Sequence, residues 1–360
     1  MQLAEHRLHT YNLRYARPVR WSDIVEEAAP FVLLRLTSDS GAEGVAEITV
    51  KPTWCGVTAR SLIAAVEEIF VPILKKLDLS NPEKVREALD SVPENHAAKT
   101  LVDNACWDLY AASEGRPLWQ IWNGTPHIEL SWAVTRQAPQ AMAAEAADMV
   151  ARYGFRTLKI KGGQGFETDI AGIRAVRAAV GHGIRFYVDA NGAYPAAKSM
   201  DYARALADAG ATLLEDPCPL APDASFRRLQ QDSPLPILVD FGCTSLRDAH
   251  LFSEQGARAL SIKPGRFGLS HSRAMLKLMQ QNAGSAVVGL MGESAAGTLA
   301  GLQFAATIEK PILPAEMTWF LAMTEQIVGE VPKISDGAVT LTESPSLAAL
   351  IDWKALNSIE

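Results

Sequence analysis

The pattern of hydrophobic and polar residues changes character about a third of the way along the chain. Residues 30–36 and 43–50 are rich in β-branched and apolar residues and are separated by a Ser-Asp-Ser-Gly turn, which predicts a hairpin. A first strand is predicted over 2–12, with a loop over 16–27. Apolar residues then recur at helical spacing over 61–77 and 98–109. Residues 1–125 are therefore predicted to form an α+β domain.

From residue 129 onward, short apolar runs alternate with helical segments. Helical patterns fill the gaps between runs, as over 139–153, 168–180 and 270–281. Alternation of this kind predicts a parallel barrel over residues 126–320, with a doubly wound open sheet as the alternative. The open sheet is disfavoured because no glycine-rich fingerprint follows the first strand. The predicted strands are 130–134, 156–161, 185–189, 212–215, 236–240, 260–263, 286–290 and 312–316.

The tail, residues 321–360, contains turn signals and a hairpin-like stretch over 333–341. We expect it to leave the barrel, pack back on the first domain and complete that domain. The fold class predicted from these patterns is α/β, a barrel with an N-terminal α+β capping domain.

The second predicted barrel strand ends in Lys-Ile-Lys-Gly-Gly. Side chains alternate along a strand, so Lys159 and Lys161 point to the same side. Two lysines on one face of a buried strand are costly unless they have partners or a function, and their mutual repulsion is expected to lower a lysine pKa. The alternative is an exposed edge strand with a solvated basic face.

Five consecutive predicted strands end in a charged residue, at intervals of 23 to 28 residues: Lys161, Asp189, Glu215, Asp240 and Lys263. Active sites of parallel barrels lie at the carboxyl ends of the strands, so we expect these side chains to converge. Any one of them could instead cap the following helix, but a whole series of caps is not expected.

Three converging carboxylates would repel one another unless a cation lies among them. Oxygen ligands without His or Cys suit a hard ion such as Mg²⁺. A lysine on each side could remove a proton from one face of a substrate carbon and return one to the other. A metal ion would stabilise the charge that develops when a proton leaves the carbon next to a carboxylate.

The order Lys-x-Lys, Asp, Glu, Asp, Lys resembles that of the enolase superfamily, in the mandelate racemase/muconate lactonizing enzyme family and its muconate lactonizing enzyme subgroup. The resemblance extends over essentially the whole chain and implies a (β/α)₇β barrel. It further implies Mg²⁺, with Mn²⁺ as a substitute, and a small-molecule carboxylate substrate in a cytoplasmic homo-oligomer. The implied metal ligands are Asp189, Glu215 and Asp240.

The same resemblance assigns Lys161 and Lys263 as the acid/base pair. Lys159 would hold down the pKa of Lys161 or contact the substrate carboxylate. The mandelate racemase subgroup would require a His after the seventh strand, and residues 289–294 contain none. Many relatives have Glu after the fifth-strand Asp, whereas this chain has Phe241, which argues against a direct transfer of cycloisomerase activity. Glu293 is expected either to line the site or to cap the next helix.

Three tryptophans fall in the predicted capping loops and after the eighth strand: Trp21, Trp54 and Trp319. They are either core residues or an aromatic wall of the site, and such a wall favours a cationic nitrogen. We therefore expect a racemase, epimerase or dehydratase that forms an enolate from an amino-acid or proline derivative, including betaines. A muconate-type cycloisomerase is the alternative, and a catalytically silent carboxylate-binding relative is the alternative of another class.

Composition and charge narrow the range of partners. The 360 residues carry a net charge of −7, which argues against nucleic acid and anionic membranes as partners. No apolar run approaches the length of a membrane span. Four scattered cysteines without metal-binding spacing predict reduced thiols in the cytoplasm.

Overall fold

The computed structural model describes residues 1–21 and 24–359, without the side chains of residues 20, 21 and 24. The first part of the chain is a three-stranded antiparallel sheet, ordered β1 (Leu3–Trp21), β2 (Ile24–Ser38) and β3 (Glu43–Thr49). A π-helical turn, Val66–Phe70, joins α2 to α3. The helices that cover this sheet are α1 (Pro52–Cys55), α2 (Ala59–Ala65), α3 (Val71–Leu74), α4 (Pro82–Asp90), α5 (His96–Glu114) and α6 (Leu118–Ile121).

The predicted loop over 16–27 is instead the far end of a long hairpin. Val19 pairs with Glu26, and Trp21 pairs with Ile24. The register shifts between Arg14 and Val19, a stretch that contains Pro18 and therefore cannot supply a complete set of ladder hydrogen bonds. Beyond this irregularity the β-branched residues resume strand pairing, and for this reason the loop prediction was wrong.

The middle of the chain forms a curled parallel sheet of seven strands that neighbour one another in sequence order. These strands are β5 (Trp132–Val134), β6 (Thr157–Lys161), β7 (Arg185–Asp189), β8 (Leu214–Glu215), β9 (Ile237–Val239), β10 (Ala259–Ile262) and β11 (Ser285–Val288); a short strand, β4 (His127–Glu129), precedes them. The intervening helices are α7 (Pro139–Tyr153), α8 (Phe166–Val180), α9 (Ser199–Asp208), α10 (Ala224–Asp232), α11 (Leu246–Glu254), α12 (Pro264–Gln281) and α13 (Ala295–Ala305).

The eighth position of the barrel is a bridge rather than the predicted strand over 312–316. Ser131 N donates to Ala315 O at 2.9 Å, and Glu316 N donates to Val288 O at 2.8 Å. This short segment connects β5 to β11 and closes the barrel. The predicted fold class is therefore confirmed.

Alternation along the strands places the strand-end charges inside the barrel. Tyr187, Leu213 and Leu238 belong to a buried cluster that also contains Ala259, Val287 and Leu313. Asp189, Glu215 and Asp240 each lie two residues further along the chain. Because residues i and i+2 of a strand share a face, these carboxylates point into the barrel above an apolar floor.

The tail connects the barrel to the first part of the chain. In place of a hairpin of its own over 333–341, β12 (Ala338–Thr340) pairs antiparallel with β4, and only Ser335 bridges to Ala338. Leu347 N then donates to Asp108 Oδ1 of α5 at 2.7 Å. The last helix, α14 (Trp353–Ile359), follows. No helix in the described ranges is long and apolar enough to cross a bilayer.

Candidate active site

The two lysines of β6 face the same side, as alternation predicts. Lys159 Nζ lies 3.1 Å and Lys161 Nζ 2.6 Å from the same oxygen, Oδ2 of Asp189. Strand β6 lies between β5 and β7, and Lys159 is only 2% exposed. The alternative of a solvated edge strand is therefore wrong.

The remaining strand-end residues join the same cluster. Lys159 Nζ lies 2.9 Å from Glu215 Oε1 and 3.0 Å from Glu316 Oε1. On the far side of the carboxylates, Lys263 Nζ lies 2.6 Å from Asp240 Oδ2. The five strand-end side chains therefore converge, with Glu316 of the eighth segment added to them.

Lys161 and Lys263 occupy opposite walls of the barrel. Lys161 ends β6, Lys263 directly follows β10, and the strands between them in the sheet are β7, β8 and β9. In a barrel of eight positions this separation is half a turn. A substrate held above the carboxylates would have one lysine on each side.

Charge and burial set the proton affinities of the central groups. Burial alone would lower the pKa of Lys159, but the carboxylates of Glu215, Glu316 and Asp189 raise it well above its usual value. The expectation that lysine–lysine repulsion lowers the pKa is therefore wrong for Lys159. Burial would raise the pKa of Asp189, but Lys161 and Lys159 lower it far below its usual range. Burial and the charge of Asp189 raise the pKa of Glu215 well above normal.

The donor set suits a hard cation, although the side chains are paired with lysines. Within residues 1–21 and 24–359, no group of three or more His, Cys, Asp or Glu side chains is arranged so that it could hold a metal ion. The carboxylates of Asp189, Glu215 and Asp240 contact ammonium groups instead. However, Asp240 Oδ1 is buried and accepts no hydrogen bond in the part of the chain described, and Arg266 Nη1 lies 3.6 Å away from it. A buried acceptor of this kind is costly, and a bound cation would satisfy it. Glu215 Oε2, in contrast, already lies 2.7 Å from Lys159 Nζ.

Two residues fix the positions of these carboxylates. Asn191, in a left-handed conformation with φ 48°, donates its N–H to Asp189 Oδ1 at 2.8 Å. Asp216 accepts from Asp240 N at 3.1 Å and Phe241 N at 2.6 Å. Burial and the charge of Asp240 raise the pKa of Asp216 to about 7. Asp216 thus holds the end of β9 in place by accepting hydrogen bonds from the backbone that follows this strand.

A cavity of about 190 Å³ opens above the cluster. Lys159, Lys161 and Lys263 line it, together with Trp54 and Trp319. Trp319 is also packed as a core residue, because it is 2% exposed and stacks on Trp132 with centroids 5.8 Å apart. The side chain of Trp21 lies outside the described part of the structure.

Glu293 lies in the loop between β11 and α13. It is absent from the residues that line this cavity, and Ser294, not Glu293, caps α13. Its Oε2 accepts from Met291 N at 2.7 Å, while Oε1 is buried beside Gly265. Burial raises the pKa of Glu293 to about 7. The prediction that Glu293 caps the next helix was therefore wrong, whereas a role for it in the site stays a prediction.

Two sequence profiles match successive parts of the chain. One, described as "Mandelate racemase / muconate lactonizing enzyme, N-terminal domain", matches residues 5–122. The other, "Enolase C-terminal domain-like", matches residues 141–355, more than half of the chain. The chain belongs to the mandelate racemase/muconate lactonizing enzyme family of the enolase superfamily.

The similarity to relatives in this family extends over nearly the whole chain. The chain is 27% identical over 328 residues to a hydrophobic dipeptide epimerase of Enterococcus faecalis, covering 89% of this chain and 92% of that protein. It is 28% identical to an N-succinylamino acid racemase of Thermus thermophilus, covering 89% and 86%. The crystal structure of a muconate lactonizing enzyme from Mucobacterium smegmatis complexed with muconolactone superposes with a TM-score of 0.94, at 29% identity over 100% and 99% of the two chains.

The cavity rim of this family member includes an exposed aromatic side chain. Phe241 is 62% exposed and lines the cavity. Glu316 and Arg136 also line the cavity, and neither was predicted as a site residue. Glu316 ends the eighth predicted strand, so the strand-end rule could have found it. Arg136 lies in the loop two residues after β5, where no periodic pattern marks it.

Proposed function

We propose that this protein is a Mg²⁺-dependent racemase or epimerase that acts on an amino-acid or proline derivative through an enolate. In this proposal Lys161 and Lys263 are the acid/base pair, and Mn²⁺ can replace Mg²⁺. A dehydratase would share the first step. The epimerase and racemase among the relatives support this class of reaction.

One observation supports the proposal most strongly: two lysine ammonium groups stand on opposite walls of one cavity, with buried carboxylates between them. A racemase needs a base on one face of the α-carbon and an acid on the other. Half a turn of the barrel separates Lys161 from Lys263, which supports such an arrangement.

In this mechanism two lysines transfer protons and a third balances the charge of the carboxylates. One lysine, in its neutral form, removes the α-proton, and the other, as ammonium, returns a proton to the opposite face. Which one acts first depends on the enantiomer bound. Lys159, which contacts carboxylates at the ends of β7 and β8 and in the eighth segment of the barrel, balances their charge and lines the cavity, where it can contact the substrate carboxylate.

Asp189, Glu215 and Asp240 would hold the divalent cation. They are the three buried strand-end carboxylates, and Oδ1 of Asp240 accepts no hydrogen bond among the described residues. When bound, the cation supplies charge that stabilises the enolate of the substrate carboxylate.

The test is α-proton exchange in D₂O with Mg²⁺ and each enantiomer of a panel of N-substituted amino acids, dipeptides and proline derivatives. In Lys161→Ala and in Lys263→Ala, racemisation should be lost. Each variant should still exchange deuterium into one enantiomer only, the one whose α-proton faces the remaining lysine. The exposed Lys76→Ala provides the control. Full turnover in both single variants would exclude the two-lysine mechanism.

A muconate-type cycloisomerase is the second candidate. It is favoured by the superposition on the structure that holds muconolactone. Phe241 in place of the usual Glu weighs against it. Efficient lactonization of muconate, with no exchange on the amino-acid panel, would reverse the ranking. Absence of any exchange or lactonization would instead favour a catalytically silent carboxylate-binding protein.

We also propose a cytoplasmic homo-oligomer, on the strength of the family resemblance and four cysteines that are unpaired in the structure. Light scattering of the purified protein measures the assembly.

A further inference from the structure

Arg136 differs from the other cations that line the cavity, because no carboxylate balances it. Lys159, Lys161 and Lys263 each contact a carboxylate within 3.1 Å, and Arg266 lies 3.6 Å from Asp240 Oδ1. Among the described residues, no Asp or Glu oxygen lies within 4.0 Å of the Arg136 guanidinium. An unpaired guanidinium facing a cavity is available to an anionic ligand.

The guanidinium is held by neutral acceptors beside one of the two acid/base lysines. Its Nε donates to Gly162 O at 2.6 Å, and its Nη2 donates to Asn191 Oδ1 at 3.3 Å. Lys161 Nζ lies 3.4 Å from the same Asn191 oxygen. A substrate whose α-carbon is next to Lys161 would therefore place its remaining atoms near Arg136.

Nη1 and the second N–H of Nη2 have no partner in the described ranges. A guanidinium offers its donors as a planar fork that matches the two oxygens of a carboxylate. The two existing hydrogen bonds hold the side chain in place, so that little conformational entropy is lost when a ligand binds.

The charge of the cavity favours the same kind of ligand. Five cationic side chains line it, against two carboxylates, Asp240 and Glu316. The aromatic wall is less suited to a cation than the sequence suggested. Lys51 Nζ already lies 5.2 Å from the centroid of Trp54, and Trp132 covers one face of Trp319. For a quaternary nitrogen in this cavity, repulsion by the lining cations would outweigh its attraction to the aromatic rings.

We propose that Arg136 binds a second carboxylate of the substrate, so that the enzyme acts on amino-acid derivatives with two acidic groups. This inference rests on the proposed racemase or epimerase function, and it selects diacids over betaines within that function. One carboxylate lies over the metal ligands, next to the α-carbon, and the other pairs with Arg136.

The first test compares matched substrates. An N-succinyl amino acid ends in a carboxylate, and its terminal carboxamide has the same shape without the charge. Wild-type kcat/KM should be at least about tenfold higher for the carboxylate, because the carboxamide leaves the guanidinium without its anionic partner. Arg136→Gln should remove this preference, and Arg136→Lys should retain part of it. Arg247→Gln, on the exposed side of α11, should keep it in full.

Three results would overturn the inference: equal wild-type activity on both compounds, an equal loss on both in Arg136→Gln, or better turnover of a proline betaine than of the diacid. The wild-type comparison stands even if the Arg136 variants fail to fold.

A second measurement separates this inference from the proposed function. N-succinyl-α-aminoisobutyrate has no α-hydrogen, so it can bind but cannot racemise. Calorimetry with Mg²⁺ should show at least about tenfold tighter binding of this compound than of its carboxamide, and Arg136→Gln should lose the difference. A retained binding preference without exchange on any substrate would overturn the proposed reaction and support Arg136 as an anion site. Exchange without a binding preference would overturn the role of Arg136 alone.

Discussion

At the scale of single residues, the site combines groups that would be unstable alone. Lys159 is buried, and a buried ammonium without partners is strongly disfavoured. Here it contacts Asp189, Glu215 and Glu316, so each charge compensates another. Replacing any one of them leaves the others uncompensated, and such losses commonly exceed the value of a single hydrogen bond. The cluster is therefore a unit in stability as well as in chemistry.

Glu293 gives a prediction on pH. Burial raises its pKa from the usual 4.5 to about 7 in the folded protein. Between these values the folded state holds a proton that the unfolded chain has released, so stability falls as pH rises through this window. A shift of this size corresponds to about 3 kcal/mol. In Glu293→Gln we expect the free energy of unfolding to vary less between pH 5 and pH 8 than in wild type.

Urea unfolding at a series of pH values measures this difference, with the exposed Glu254→Gln as the control. The amide oxygen of Gln can still accept from Met291 N, so the fold should survive the change. Parallel pH profiles for wild type and Glu293→Gln would contradict the prediction.

At the scale of elements, the capping sheet and helix α5 meet at one glycine. A Cβ on Gly44 of β3 would lie 2.5 Å from Ala105 O and 2.6 Å from Leu109 Cα of the helix. Both atoms belong to backbone, so neither can give way cheaply. We expect Gly44→Ala to lower the free energy of unfolding by about 1–3 kcal/mol, because the strand must move off the helix.

Chemical denaturation followed by circular dichroism measures this loss. Gly183→Ala is the matched control, since a Cβ there meets nothing within 4 Å and its φ is not in the left-handed region. Equal stabilities of Gly44→Ala and Gly183→Ala would contradict the close approach of β3 to helix α5 at Gly44.

Strands could be predicted where a short apolar run alone marks them in the sequence. The ends of β6 and β7, at Lys161 and Asp189, follow from short apolar runs, and regular βα spacing brings their side chains together. The continuation of the long hairpin beyond Arg14 was missed because a proline such as Pro18 is typical of loops rather than of strands. The eighth strand was overestimated because residues 312–316 have strand composition, while only the backbone at 315–316 finds partners.

Contacts between distant segments were less predictable. Arg136 acquires its role only because Gly162 and Asn191, from two other strand ends, hold it at the cavity. Glu293 looked like a site residue because it follows a strand, yet its own loop provides a donor at Met291. No periodicity in the chain encodes either outcome.

At the scale of the whole molecule, Asp108 joins three segments. Its carboxylate accepts from Val45 N of β3 at 2.8 Å, and from Leu347 N and Ala348 N of the tail at 2.7 and 3.3 Å. The tail also crosses the barrel through β12 and β4. The tail is thus tied to the capping sheet and helix α5 through one buried carboxylate, and to the strand that precedes the barrel through β12.

The proposed metal site predicts a stability effect that needs no substrate. A cation that binds the folded protein and not the unfolded chain stabilises it by mass action, by about 2.7 kcal/mol at a hundredfold excess over Kd. Wild-type Tm should therefore rise as Mg²⁺ is added at constant ionic strength, and fall again with a chelator. Asp240→Asn should lose most of this rise, because it removes the charge of a carboxylate whose buried Oδ1 accepts no hydrogen bond among the described residues. The exposed Asp232→Asn should keep it. If Mg²⁺ leaves the wild-type Tm unchanged, or raises it equally in Asp240→Asn, these carboxylates do not hold the ion, and the lysines must act without it.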